Sequence, residues 1–135
     1  MSLIDWSETL SVSVRTFDEQ HKRLIAIVNE LADGMRARKG KETLAGVLKN
    51  LIEYTSVHFA AEEKLMSEHG YPDYAAHKHE HDDLVAKVLD FEKKYKADTI
   101  LLSVELMNFL RDWLTGHIMK TDKAYAPFMN SKGVQ

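Results

Sequence analysis

The stretch HKHEH, residues 77–81, sets three imidazoles at alternate positions. On a strand all three would line one side. On a helix, positions four apart share a face, so His77 and His81 pair and His79 points elsewhere. His58 precedes Glu62 by four residues, His117 precedes Asp122 by five, and His21 stands in FDEQHKRL. Imidazole nitrogen and carboxylate oxygen together suit a first-row transition metal. The absence of cysteine removes disulfides, thiolate metal sites and cysteine nucleophiles. Two familiar metal patterns fail on spacing: neither His-Glu-x-x-His nor Glu-x-x-His occurs anywhere in the chain.

These side chains need elements to position them. Apolar residues recur at intervals of three or four in four stretches: Leu24, Val28, Leu31, Met35; Leu44, Leu48, Leu51, Thr55; Leu84, Val88, Phe91; and Leu102, Leu106, Phe109, Trp113. That is the helical period. The first helix is expected over 16–38, capped by Thr16 with Glu19 or by Asp18, and KGKE (39–42) makes a turn. The second helix stops at Gly70 and Pro72, the third spans 73–95, and KADT (96–99) turns the chain into the fourth. Four helices of ~20 residues, each ~30 Å long, with short links predict an all-α, antiparallel up-down-up-down four-helix bundle. In the first fifteen residues Leu10, Val12 and Val14 alternate with polar neighbours, which predicts an extended N-terminal arm lying on the bundle. The expectation is one domain over 1–135, with the arm over 1–15 and the bundle with its C-terminal segment over 16–128.

Extending each stripe gives the helical elements their chemistry. The first leads back from Leu24 to His21, and the second leads on to His58 and Glu62. The third leads back to His81 and His77, and the fourth leads on to His117. A single histidine on an apolar face is usually a core residue with a hydrogen-bond partner. Five of them plus a carboxylate, spread over four helices, are different. Each buried polar group left unsatisfied costs ~1–3 kcal/mol, against a total stability of ~5–15 kcal/mol. A shared metal satisfies them together.

The wider composition narrows the function. A net charge of −3 with Lys and Arg scattered among Asp and Glu argues against a nucleic-acid partner. No apolar run approaches the ~18 residues of a membrane span. MSLIDWSETL lacks the features of a secretory signal, so a cytoplasmic location is expected.

The segments FDEQHKRL (17–24), HFAAEEKLM (58–66), YPDYAAHKHEH (71–81) and DWLTGHIMKTDKAY (112–125) resemble the hemerythrins, specifically the single-domain bacterial hemerythrins (bacteriohemerythrins). The resemblance extends over essentially the full chain, including the arm with Trp6. It implies two iron ions (Fe2+/Fe3+) inside the bundle and reversible O2 binding, as carrier, store or sensor, without enzymatic turnover. Carried over by position, one iron takes His77, His81 and His117, and the other takes His21 and His58. Glu62 and Asp122, with an oxo or hydroxo group, bridge the two. These groups fill eleven of the twelve positions of two six-coordinate irons, and the open one falls beside His21 and His58. The family walls its O2 pocket with apolar residues, here Leu24, Phe59, Trp113, Leu114 and Ile118, which also suit ordinary core packing.

Rival functions fit less of the chain. His81–Asp82 matches one feature of helical metal phosphohydrolases, but that reading leaves His21, His58, Glu62 and His117 unexplained. A di-iron enzyme acting on peroxide or NO, or a supplier of O2 to an oxygenase or other protein acceptor, would use the same centre. The five-residue spacing of His117 and Asp122 lies ~140° from a shared face of a regular helix, which predicts a π-type turn between them. Gly116 beside it suggests a close approach. His69 is expected at a helix end, His79 and Glu63 in solvent, and Tyr125 either near the site or simply packed. Tyr54 and Tyr95 are assigned to core or rim.

Overall fold

A computed structural model describes residues 3–98 and 104–135. Helix α1 runs Arg15–Arg36, α2 Lys41–His69 and α3 Tyr74–Lys96. The last rod of the bundle is composite: α4, Val104–Gly116, passes into a π-helical turn, His117–Asp122, and then into α5, Lys123–Ser131. No strand occurs among the described residues, so the molecule is the expected all-α four-helix bundle. No helix among them is long and apolar enough to cross a membrane. Helix α2, at 29 residues, exceeds the expected length, and α5 runs beyond the boundary expected at 128. Leu102 and Thr99 lie outside the described residues.

The core follows the apolar stripes. Leu24, Val28 and Leu31 from α1 meet Leu44, Leu48 and Leu51 from α2, with Leu84 and Val88 from α3, all buried in one cluster. Met35 and Phe91 are half-buried at its margin. The fourth stripe needs correction: Phe109 is exposed, and Met107, Leu110 and Leu114 face inward. Several apolar residues crowd this segment, so two neighbouring faces carry a helical period, and only packing against α1 chooses between them.

The links are short. Gly70 ends α2 in the left-handed region (φ 69°), and the Tyr71 N–H donates back to the Met66 carbonyl at 2.9 Å. This closure satisfies carbonyls that the helix end would otherwise orphan.

The arm is held by buried Leu10, Val12 and Val14, with a short 3-10 turn at Glu8–Leu10. It is also tied by polar contacts. Ile4 exchanges two hydrogen bonds with the Asn29 side chain, at 2.9 and 2.8 Å. Neither expected cap forms at the start of α1, where Val14 holds the cap position without a side-chain bond. Asp18 instead accepts from the Val12 N–H at 2.8 Å and the Ser11 hydroxyl at 2.6 Å. It satisfies arm donors rather than helix donors because the chain doubles back over the first turn. Asp18→Ala should therefore lower stability by about 1–3 kcal/mol through two lost charge-assisted bonds, read as a lower urea midpoint. An unchanged midpoint would show that apolar burial alone holds the arm.

Candidate metal centre

Each rod sends polar side chains to one region of the core. His21 comes from α1, His58 and Glu62 from successive turns of α2, His77 and His81 from successive turns of α3, and His117 and Asp122 from the two ends of the π turn. All seven are at most 5% exposed. His79 lies at the surface, where it faces Asp83, and His69 sits half-buried at the end of α2.

The buried atoms fall into two overlapping groups: Glu62, His77, His81, His117 and Asp122, and His21, His58, Glu62 and Asp122. Within each, one donor atom per residue lies within 4.8 Å of every other. Asp122 Oδ1 is 2.8 Å from His77 Nε2 and 3.0 Å from His117 Nε2, while Oδ2 is 3.0 Å from His21 Nε2. Glu62 Oε1 lies 3.3 Å from His58 Nε2 and 3.4 Å from His81 Nε2.

These short contacts are not hydrogen bonds for most of the atoms involved. Both nitrogens of His21 and of His77, both oxygens of Asp122 and Oε1 of Glu62 are buried without a hydrogen-bond partner. Nε2 of His81 and of His117 stand 3.1 Å apart, although each ring already directs Nδ1 at a carboxylate that can only accept. Both Nε2 atoms therefore present lone pairs. Neighbouring ligands of an octahedral ion with ~2.1 Å bonds sit ~3.0 Å apart, which is the spacing found here. The donor set fits two metal ions that share Glu62 and Asp122.

Four residues outside the seven complete the geometry. Gln20 bonds His58 Nδ1, Glu63 accepts from His81 Nδ1 at 2.8 Å, and Glu80 accepts from His117 Nδ1 at 3.0 Å. Each of the three stands next to a site residue on one helix and serves a histidine on the following helix. Glu63 is thus not the solvated residue expected. Gln20 and Glu80 were not anticipated, and their adjacency to His21 and His81 is the one signal that points to them. Glu80 also accepts from the Thr121 hydroxyl at 2.9 Å, so it pins both ends of the π turn to α3. The fourth residue, Tyr125, donates its hydroxyl to Glu62 Oε2 at 2.6 Å.

Aromatic rings fix the imidazole planes. Phe59 stacks on His81 (3.7 Å, 2°), Trp113 on His117 (4.5 Å, 12°) and Tyr125 on His77 (5.7 Å, 11°). Among the described residues His58 has edge and tilted contacts, with Phe17, His21 and Phe59. Beside the site an apolar cavity is walled by Leu24, Phe59, Trp113 and Leu114, with Val28 and Leu110 further along. Ile118, expected in that wall, is fully buried but does not line the cavity.

The metal-free electrostatics follow from this crowding. Burial alone would lower the His21 pKa, but the carboxylates of Asp122 and Glu62 outweigh it and raise it to about 9. His117 is also raised, against burial, chiefly by Asp122. Burial would raise Glu62 and Asp122, yet the surrounding histidines hold both below the ordinary range. Burial and the charges of Glu62 and Asp122 push Tyr125 well above 10, which keeps it a donor.

The π turn spans the two residues whose spacing required it: bonding from i to i+5 brings positions five apart onto one side. Gly116 is not its cause. Its backbone is ordinary right-handed helix, and a Cβ there would meet nothing within 4 Å. Gly116→Ala should accordingly stabilise the chain by about 0.5–1 kcal/mol without loss of bound metal. A fall in melting temperature would restore a structural need for glycine.

Comparison with known proteins agrees with this geometry. A family model described as the hemerythrin HHE cation binding domain matches residues 12–129. A bacteriohemerythrin of Methylococcus capsulatus is 39% identical over 97% of this chain and 100% of its own length. One from Stenotrophomonas maltophilia is 35% identical over 93% of this chain and 81% of its own. A crystal structure of wild-type hemerythrin superposes with a TM-score of 0.89 at 38% identity, covering 93% of this chain and 97% of that one. A four-helix scaffold, two buried donor groups that share their carboxylates, and likeness over nearly the whole length lead to one assignment: the chain belongs to the hemerythrin family.

Proposed function

We propose that the chain binds O2 reversibly at a non-heme di-iron centre. In this reading His77, His81 and His117 hold one iron, His21 and His58 hold the other, and Glu62 and Asp122 bridge them. The observation that carries it is the pair of overlapping, fully buried donor groups with Glu62 and Asp122 in common. When bound, the iron pair supplies the electrons that O2 takes up and returns.

The protein supplies geometry and dryness. Asp122 directs one oxygen toward each group of histidines. The Tyr125 hydroxyl holds one oxygen of Glu62, which fixes the carboxylate plane. Leu24, Phe59, Trp113 and Leu114 keep the adjoining cavity largely apolar, with the Thr55 hydroxyl and the Trp113 indole as its polar groups, so water and anions find few hydrogen-bonding partners on the way in. None of these four offers an acid or base, which supports binding without O–O cleavage.

The test is anaerobic reconstitution with Fe(II) followed by O2. A visible charge-transfer band that vanishes on degassing, with two irons per chain, is expected. Irreversible bleaching with turnover of added peroxide would favour the enzymatic alternative. Leu114, 8% exposed in the cavity wall, gives a sharper check on the wall's role. Leu114→Ala should admit solvent and speed autoxidation of the oxygenated form several-fold; an equal rate would remove Leu114 from that role.

A further inference from the structure

The two donor groups differ in what stands behind them. Two of the three histidines in the first group direct Nδ1 at a carboxylate, His81 at Glu63 and His117 at Glu80. In the second group His58 meets the neutral amide of Gln20, and Nδ1 of His21 has no partner. The stacking is equally lopsided. All three rings of the first group lie against a near-parallel aromatic ring, whereas no such partner is found for His21 or His58 among the described residues.

A carboxylate on the far nitrogen of an imidazole fixes its tautomer and makes the near nitrogen a stronger donor. It also places a negative charge within reach of the incoming cation. A neutral amide orients the ring but adds no charge. Stacked rings need less ordering when the ion arrives, so less conformational entropy is lost. All three effects favour the same position.

We propose that Glu63 and Glu80 are positioning residues that make the three-histidine position the tighter of the two, so that it takes a divalent ion first and the two-histidine position second. This rests on the two-ion reading above. The order follows from charge delivered across helix interfaces: Glu63 on α2 acts on α3, and Glu80 on α3 acts on the π turn. The second position, with the neutral backing, is the one that exchanges its ion more readily.

Titration of the metal-free protein with Co(II), followed by its visible absorption against a competing chelator, tests this. The wild-type chain should bind two ions, the first about 10–100-fold more tightly. Glu63→Gln and Glu80→Gln keep an acceptor of the same shape but remove the charge. Each should weaken the first ion about tenfold and leave the second unchanged, and the double variant should bring the two affinities together. Gln20→Glu should move the second ion the other way, tightening it. A purely structural role predicts that the glutamine variants behave as wild type. Two unequal ions insensitive to all three substitutions would overturn the proposal while leaving the di-metal reading intact. Fewer than two bound ions in the wild type would overturn that reading itself, and the proposal with it.

Discussion

Asp122→Ala should reduce iron after reconstitution and desalting from two per chain to below one. Asp122 is the side chain whose separate oxygens face separate groups, Oδ1 toward His77 and His117 and Oδ2 toward His21. On the proposed di-iron reading, its removal leaves each ion one anionic donor poorer and opens a buried void between the two positions. Loss of a residue that merely supports a metal ligand costs about 10–100-fold in affinity, so loss of a donor shared by both ions should cost at least about 100-fold at each. Asp122→Asn, which keeps the volume and one carbonyl oxygen, should recover part of the binding at most. His79→Ala is the control: the residue is 77% exposed on its side chain, and its loss should leave iron content unchanged. Two irons per chain in Asp122→Ala would remove Asp122 from the bridging role.

Chelation of the iron should lower the melting temperature by more than about 10 °C at pH 8, and by clearly less at pH 5.5. Without metal, seven buried nitrogen and oxygen atoms among the described residues lack a well-aligned hydrogen bond. Of these, His21 Nε2 and Asp122 Oδ2, 3.0 Å apart, are compensated by charge. Each of the others costs about 1–3 kcal/mol, and about 1 kcal/mol moves the midpoint of a domain this size by about 3–5 °C. The pH dependence follows from the metal-free site. Glu62 and Asp122 are depressed, so their stabilising contribution holds above the ordinary carboxylate range and is lost as pH falls through their lowered values. His21 is raised from 6.5 to about 9, so its contribution is complete below about 6.5 and is lost as pH rises through 9. The metal-free chain is therefore favoured between about pH 4.5 and 6.5. Iron behaves in the opposite sense, because it must displace the His21 proton at any pH below about 9 and so binds more weakly in acid. The gap between loaded and chelated protein should narrow from both sides as the pH drops. Calorimetry at the two pH values would measure it, and a gap as wide at pH 5.5 as at pH 8 would contradict the account.

Six of the seven inward side chains were legible in the sequence because helical period is a local property; Asp122, off the regular face, entered through the resemblance to the hemerythrins. His77 and His81, or His58 and Glu62, share a face whatever the rest of the chain does. The π turn was legible for the same reason, since His117 and Asp122 stand at a spacing that a regular helix cannot accommodate on one face. Gly70 and its neighbours likewise announced the end of α2 through backbone chemistry confined to a few residues.

What remained hidden depends on how helices meet. Phe109 and Leu110 carry equally good apolar credentials, and only the rotation of α4 against α1 buries one and exposes the other. Asp18 looked like a cap, yet its partners are the amide and hydroxyl of an arm folded back over it. Glu63 sits about 100° round its helix from Glu62, a direction that reads as solvent until α3 brings His81 within 2.8 Å. Gln20 and Glu80, marked in the sequence only by adjacency to His21 and His81, gain their roles in the same way. Period along one helix thus determined which histidines, with Glu62, face inward, and the π turn added Asp122. The rotation and offset between neighbouring helices, set by packing over the whole core, decided which outer residues stand behind those donors and how unequally.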